Sequence, residues 1–293
     1  MASLKEIKGR ISSVKSTQKI TSAMKMVSSA KLRKAQYQIE RFLPYQEQLH
    51  TILDSFLAAD TEFSSPLSVN RPVESVAIVV FSSNSSLCGA FNSNVIRLLS
   101  ETLKEYPTLS PENIFIYPIG KKIEEAVKKA ELLPVGSYIE LMDKPAFEGA
   151  KEIAETLIAD FLSKKIDRVE LIYNHFKNTA VQIPTRKIFL PLDLKCSDKA
   201  ETKSGAAVDY IVEPDRETIL SMLIPKSLRS TIYASLLDSA AAEQAARTVA
   251  MQVATDNADE ILENLTIQFN KQRQQAITSE LLDIIGGSEA LKS

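Results

Sequence analysis

Glycine is scarce in this chain, with 8 in 293 residues, and tryptophan is absent. Neither GxxxxGK[ST] nor GxGxxG occurs, so the glycine loops that bring backbone amides onto a phosphate are missing. There are two histidines, His50 and His175, and two cysteines, Cys88 and Cys196. They are too far apart in sequence for a zinc knuckle, and two thiols make no disulfide framework, which fits a reducing compartment. No run reaches the roughly 18–20 apolar residues that span a bilayer. The N-terminus has no secretory apolar core, and its basic amphipathic pattern runs well past the length of a targeting peptide.

The formal net charge of -2 conceals an asymmetry. Residues 1–50 carry ten bases against three acids, whereas residues 243–293 carry eight acids against four bases. A basic helix beside a more acidic one is attracted to it, though each exposed pair contributes only about 0–1 kcal/mol. Nucleic acid is the other reading of the basic end. The bases are spread around the helix with no interleaved aromatics, which argues against it.

Leu4, Ile7, Ile11 and Val14 are spaced 3, 4 and 3, a narrow apolar stripe of the coiled-coil kind. Ser3 and Glu6 have capping-box spacing. The stripe continues through Gln18 and Thr21 and is then expected to shift, turning Ile20, Ala23, Val27 and Ala30 inward, before Leu32, Ala35, Ile39 and Phe42. Pro44 is expected to bend this helix without ending it, because Leu49, Ile52, Leu53 and Phe56 keep the period. Residues 60–72 read as a linker.

Between Pro225 and Gly286 lie 60 residues with neither proline nor glycine. As one helix they span roughly 90 Å at 1.5 Å per residue. Leu228, Ile232, Ser235, Ser239, Ala242, Ala246, Val249 and Val253 step by 4 and 3. Ile261, Leu265, Phe269, Ile277, Leu281 and Ile284 are expected to extend the seam. A lone helix would expose this stripe, so the N-terminal helix is the expected cover. That helix is shorter, so the far end of the long one should project alone or enter a partner.

The middle has another period. Strands are predicted at Val76–Phe81, Ile114–Pro118, Val135–Leu141 (weaker), Arg168–Tyr173 and Gln182–Pro191. Helices are predicted at Asn92–Tyr106, Lys121–Ala130 and Phe147–Lys165. This alternation predicts a mostly parallel sheet, and residues 195–207 read as a mobile polar loop. The fold class expected is α/β plus a long antiparallel coiled coil, with terminal helices pairing around a Rossmann-like middle domain. The expected parts are 1–60, 73–205 and 208–293.

Cys88, between a strand and a helix, could host a nucleophile, but a turn held by Gly89 accounts for it more simply. Asp256, Asp259, Glu260 and Glu263 span two helical turns and read as a solvated face rather than a metal cluster. Three classes stay open on these residues alone: a mechanical shaft, a docking protein built on a helical hairpin, and an enzyme. The enzyme would need a polar pocket at the sheet's C-terminal edge.

Three long motifs narrow the choice. They are IKGRISSVKSTQKITSAMKMVSSAKLRKAQ (Ile7–Gln36), SAAAEQAARTVAMQVATDNADEI (Ser239–Ile261) and FNKQRQQAITSELLDIIGGSEAL (Phe269–Leu291). With YNHF at Tyr173 and QIPTR at Gln182–Arg186, they resemble the gamma subunit family of the rotary F-type ATP synthase over the whole chain. The resemblance implies a left-handed antiparallel coiled-coil shaft inside a ring of three alpha and three beta subunits. It implies a foot on the membrane c-ring that holds the epsilon subunit, and torque transmission without catalysis. It also implies no cofactor and a peripheral place on the cytoplasmic face of a bacterial inner membrane.

By the same resemblance, Arg273 and Gln274, with Thr278 one turn on, meet acidic loops of beta. Met24 faces that region, followed by Lys25 where some relatives carry an acid. The family pattern D-R-G-L-C-G, near the foot and the epsilon and c-ring contacts, is here Asn84, Ser85, Ser86, Leu87, Cys88, Gly89. Both charges and a glycine are replaced.

Overall fold

The computed structural model describes residues 3–59, 65–107, 109–192, 212–213 and 215–290. The expected loop 195–207, with Cys196, lies outside them. The chain divides into two compact units, Met1–Ser28 with Thr248–Ser293, and Ser29–Arg247.

In the larger unit a four-stranded sheet has the order β2-β1-β3-β4. The strands are β1 (Val76–Phe81), β2 (Ile114–Ile119), β3 (Arg168–Phe176) and β4 (Gln182–Leu190). β1 pairs parallel with β2 and β3, and β4 closes the edge antiparallel to β3, so the sheet is mostly parallel as expected. All six residues of β1 are buried, the mark of a strand covered on both faces. One face carries Val76, Ile78, Val80 and Ile172, packed under α2 (Phe91–Lys104) and α3 (Lys121–Lys129). The other carries Ala77, Val79, Phe81 and Leu171. It packs on α5 (Phe147–Leu162) and on Leu220, Ile224, Leu228 and Ile232 of the long C-terminal helix.

The weaker strand expected at Val135–Leu141 does not form. Only Pro134 bridges to Ile116 of β2, and the chain turns through Gly136 (φ +77°) into the short helix α4, Ile139–Asp143. The segment is apolar because Val135, Tyr138 and Leu141 pack against the core, next to buried Met142. The linker is also partly structural, since Leu67 is buried in the core and its carbonyl accepts from the Leu192 amide at 2.9 Å.

The N-terminal helix α1 (Leu4–Ala59) starts at a Ser3 cap whose Oγ accepts the Glu6 amide at 3.2 Å. It runs through Pro44, held there by Phe42 edge-on to Tyr233 at 4.9 Å and by buried Leu49, Leu53 and Phe56. The C-terminal helix α6 spans Arg216–Ala290 and contains Pro225, so it begins later than the expected 208. Asp215 fixes that start, accepting the Thr218 amide at 2.8 Å.

The two helices are antiparallel. In the smaller unit Gln18 donates to Asp259 at 2.6 Å, and the Thr21 and Thr255 hydroxyls meet at 2.8 Å. In the larger unit Leu32 and Ala35 pack on Ala245 and Ala241.

Two seam expectations need correction. Ile20 and Val27 are 60% and 57% exposed, and Ala23 and Ala30 also face solvent. The stripe never shifts, because Thr21 (9%) and Ser28 (2%) hold the seam positions. On α6, Val249, Val253, Ile261, Ile277, Leu281 and Ile284 are exposed. Met251, Thr255 and Ala258 carry the seam instead, while Leu265 and Phe269 are half-buried as expected. Small and hydroxyl side chains occupy the inner face, so hydrophobicity alone points to the wrong one.

Candidate functional site

Two places were expected to carry function, the β1–α2 loop and the far end of α6. The loop lies at the C-terminal edge of the sheet, where α/β folds commonly take ligands. Here that edge is filled by the chain itself. Lys121 N donates to Asn84 Oδ1 at 3.0 Å, Lys122 N to the Ser83 carbonyl at 3.1 Å, and Ile123 N to Ser82 Oγ at 2.9 Å. These first amides of α3 are the donors that would otherwise face an anion. Gly120 takes φ +107° to make the turn possible.

Asn84 is half-buried and does two jobs, accepting from Lys121 and donating Nδ2 to the Ile139 carbonyl at 2.9 Å. Ser85, Ser86 and Gly89 are exposed. Cys88 is 2% exposed and sits with Phe91, Ala242 and Ala246 in a small apolar cluster. Its thiol accepts Asn92 Nδ2 at 3.2 Å, and Gly89 turns with φ +58°, in line with the turn reading rather than the nucleophile. Asn92 also accepts the Ser83 amide at 3.1 Å and donates to Ser83 Oγ at 2.8 Å. Below the loop, Arg247 Nη2 donates to Glu243 Oε1 at 2.7 Å, and Arg247 Nη1 donates to the Ser86 carbonyl. Burial pushes the Glu243 carboxyl up from the usual carboxylate range, and Arg247 pulls it back.

Three further polar groups escaped the sequence reading. Glu170, fully buried on β3, accepts Arg186 Nε at 2.7 Å and Nη2 at 2.8 Å, and Tyr106 Oη at 2.6 Å. A charge inside the apolar run R-V-E-L-I-Y was the available signal, since alternation turns it inward. At the end of β3, His175 Nδ1 lies 2.7 Å from Asp238 of α6, which also accepts the Phe176 amide at 2.8 Å. Burial raises the Asp238 pKa, opposed by those two partners. An open cleft of about 440 Å³ at the opposite end of the sheet is lined by Arg71, Lys164, Lys165 and Asp167. Arg71 there already donates to the carbonyls of Phe161 and Ile166.

In the smaller unit, Met24 and Lys25 are half-buried, while Arg273, Gln274 and Thr278 are exposed. The Thr278 hydroxyl donates to the Gln274 carbonyl at 2.9 Å. The register of the pair dates this end. Leu4 lies fourteen residues before Gln18, and fourteen residues past Asp259 is Arg273. Beyond that position α1 offers no partner, and residues 281–285 are all exposed. The acidic group Asp256, Asp259, Glu260 and Glu263 is exposed, and no cluster able to hold a metal occurs among the described residues.

The family model described as ATP synthase matches residues 3–291. The ATP synthase gamma chain of Bacteroides fragilis is 58% identical over 290 residues, covering 99% of this chain and all of the relative. The chain belongs to the ATP synthase gamma chain family. The gamma chain of Flavobacterium johnsoniae is 45% identical over 292 residues, 99% of each chain. Among solved structures, the chain is similar to one from the central stalk and c-ring of the Tetrahymena thermophila mitochondrial ATP synthase. The match has 26% identity and a TM-score of 0.57, and covers 80% of this chain and 99% of that one. A chain of the Euglena gracilis mitochondrial enzyme shares the fold, with a TM-score of 0.69 at 21% identity over 98% of this chain and 94% of that one. The resemblance first met in the three motifs therefore holds over the full length. No helix among the described residues is long and apolar enough to cross a membrane.

Proposed function

We propose that this chain is the central rotor of an F-type ATP synthase, passing torque between a proton-driven c-ring and a ring of three alpha and three beta subunits, with epsilon bound at its foot. It is a non-catalytic subunit that binds no nucleotide or cofactor of its own. Its place is peripheral, on the cytoplasmic face of a bacterial inner membrane. The observation that carries this reading is a helix of 75 residues whose last turns outrun their partner helix. A rotor needs a stiff lever and a free end that can seat in a sleeve. The self-filled sheet edge supports the absence of chemistry, because the amides that would grip a phosphate already have partners.

Arg273 and Gln274 are the proposed contacts with beta, with Thr278, Met24 and Lys25 nearby. An exposed guanidinium offers five donors in a rigid fork, suited to a carboxylate that must be released and regained at each step. A fully buried pair would cost roughly 3–5 kcal/mol to break and would stall rotation, whereas an exposed one contributes about 1 kcal/mol or less. The test is ATP-driven proton pumping by the reconstituted complex. Arg273→Ala lowers pumping with the fold intact, Gln274→Ala lowers it less, and the double variant is non-additive. Wild-type pumping by the double variant would remove both residues from the mechanism.

A further inference from the structure

We propose that Arg247 is a positioning residue that latches the loop Asn84–Gly89 onto α6, with Glu243 orienting its guanidinium. The two side chains are each 8% exposed and joined at 2.7 Å, one turn apart on the same helix. From that anchored position the guanidinium reaches two successive carbonyls of the loop, Ser86 through Nη1 and Ser85 through Nη2 at 3.4 Å. One planar fork serves a carboxylate and two carbonyls together, which an ammonium on a flexible stem does not.

The loop needs such a hold. Leu87 has φ +67°, a left-handed conformation costly for a branched side chain, and its side chain is 59% exposed. Backbone of this kind persists where the surroundings over-determine it. Asn92 and Ser83 fix the loop from its own side, and Arg247 fixes it from the helix side. A buried Glu–Arg pair adds little stability over apolar residues of equal volume. What the pair supplies is geometry, two carbonyls turned inward and Leu87 turned outward. On the rotor reading above, on which this second part rests, torque in α6 reaches the β1–α2 loop through this guanidinium.

Cys88 reports the latch. It is 2% exposed, and a Cys196→Ser background leaves it the sole thiol of the full chain. Arg247→Gln should raise its labelling rate by a water-soluble maleimide at least tenfold, with Arg247→Lys in between. Arg186→Gln, which cuts the separate Glu170 network, should label as slowly as the parent. If Arg247→Gln does not fold, Glu243→Gln takes its place and should also label faster. Parent-like labelling in the latch variants would overturn the proposal, as would equally fast labelling in Arg186→Gln. In the assembled complex, the ratio of proton pumping to ATP hydrolysis should fall at least threefold in Arg247→Gln. An unchanged ratio beside a freely labelled Cys88 would overturn the coupling role, whereas a parent chain that supports no pumping would count against the rotor reading itself.

Discussion

A Cβ built on Gly120 would lie 2.2 Å from the Ser82 carbonyl oxygen, in a backbone at φ +107°. Both obstacles are backbone, so no side chain can move aside. Gly120→Ala should therefore destabilise the larger unit by about 2 kcal/mol or more, read as a lowered midpoint in urea. It should also disturb the Ser82, Ser83 and Asn84 contacts that cap α3. At the same scale, Tyr106 gives a pH signature. Burial, then the hydrogen bond to Glu170, raises its pKa from near 10 to about 12. The folded state thus keeps a proton that the unfolded state has lost. Stability contributed by the tyrosine is complete below pH 10 and falls as pH rises toward 12. Thermal midpoints measured across that window should drop, and Tyr106→Phe should flatten the part of the drop that Tyr106 causes. A Tyr106→Phe profile as steep as wild type would remove this group as its source. These residues were hard to read in the sequence, where an isolated Glu170 or Arg247 looks like any solvated charge. Their meaning depends on partners 16 and 161 residues away.

Elements were more legible than their faces. The strand Val76–Phe81 stood out because burial on both sides makes a strand nearly continuous in apolar residues, and the strand expected at Arg168–Tyr173 runs on to Phe176. Residues 135–141 shared that apolar look but sit at a turn, where one left-handed glycine outweighed composition. The helix pair was legible in its period and misread in its inner face at Ile20–Ala30 of α1 and at Val249, Val253, Ile261 and Ile277–Ile284 of α6. A close antiparallel approach favours small residues inside, and larger apolar ones are left outside. Paired cysteines separate the two faces. Thr21→Cys with Thr255→Cys should form a disulfide readily, their hydroxyls now meeting at 2.8 Å. Ile20→Cys with Thr255→Cys should not, because Ile20 points to solvent. Efficient crosslinking of the Ile20 pair would restore the shifted register.

For the whole molecule, the missing glycine loops and the long run without a helix breaker left a shaft, a docking protein and an enzyme open, and the resemblance carried by the three long motifs decided among them. The contacts that fill the sheet edge were not legible, because Ser82, Asn84 and Asn92 are ordinary residues whose partners emerge only on folding. Nothing in the sequence signalled that Ser82, Ser83 and Asn84 occupy the first amides of α3.

The outward apolar residues have a consequence for handling the protein by itself. Ile20, Val27, Val253, Ile261, Ile267, Leu282, Ile284 and Ile285 are each about half or more exposed along the two terminal helices. With a net charge of only -2, electrostatic repulsion between copies is weak. The chain made without its assembly should therefore have poor colloidal stability, its scattering intensity rising with concentration and with sulfate, which strengthens apolar association. Charged substitutions at Ile20 and Val27 should keep it dispersed without lowering its melting temperature, since neither side chain is buried. Dynamic light scattering on the purified chain would show whether its shaft has to be sheathed during biogenesis to escape precipitation.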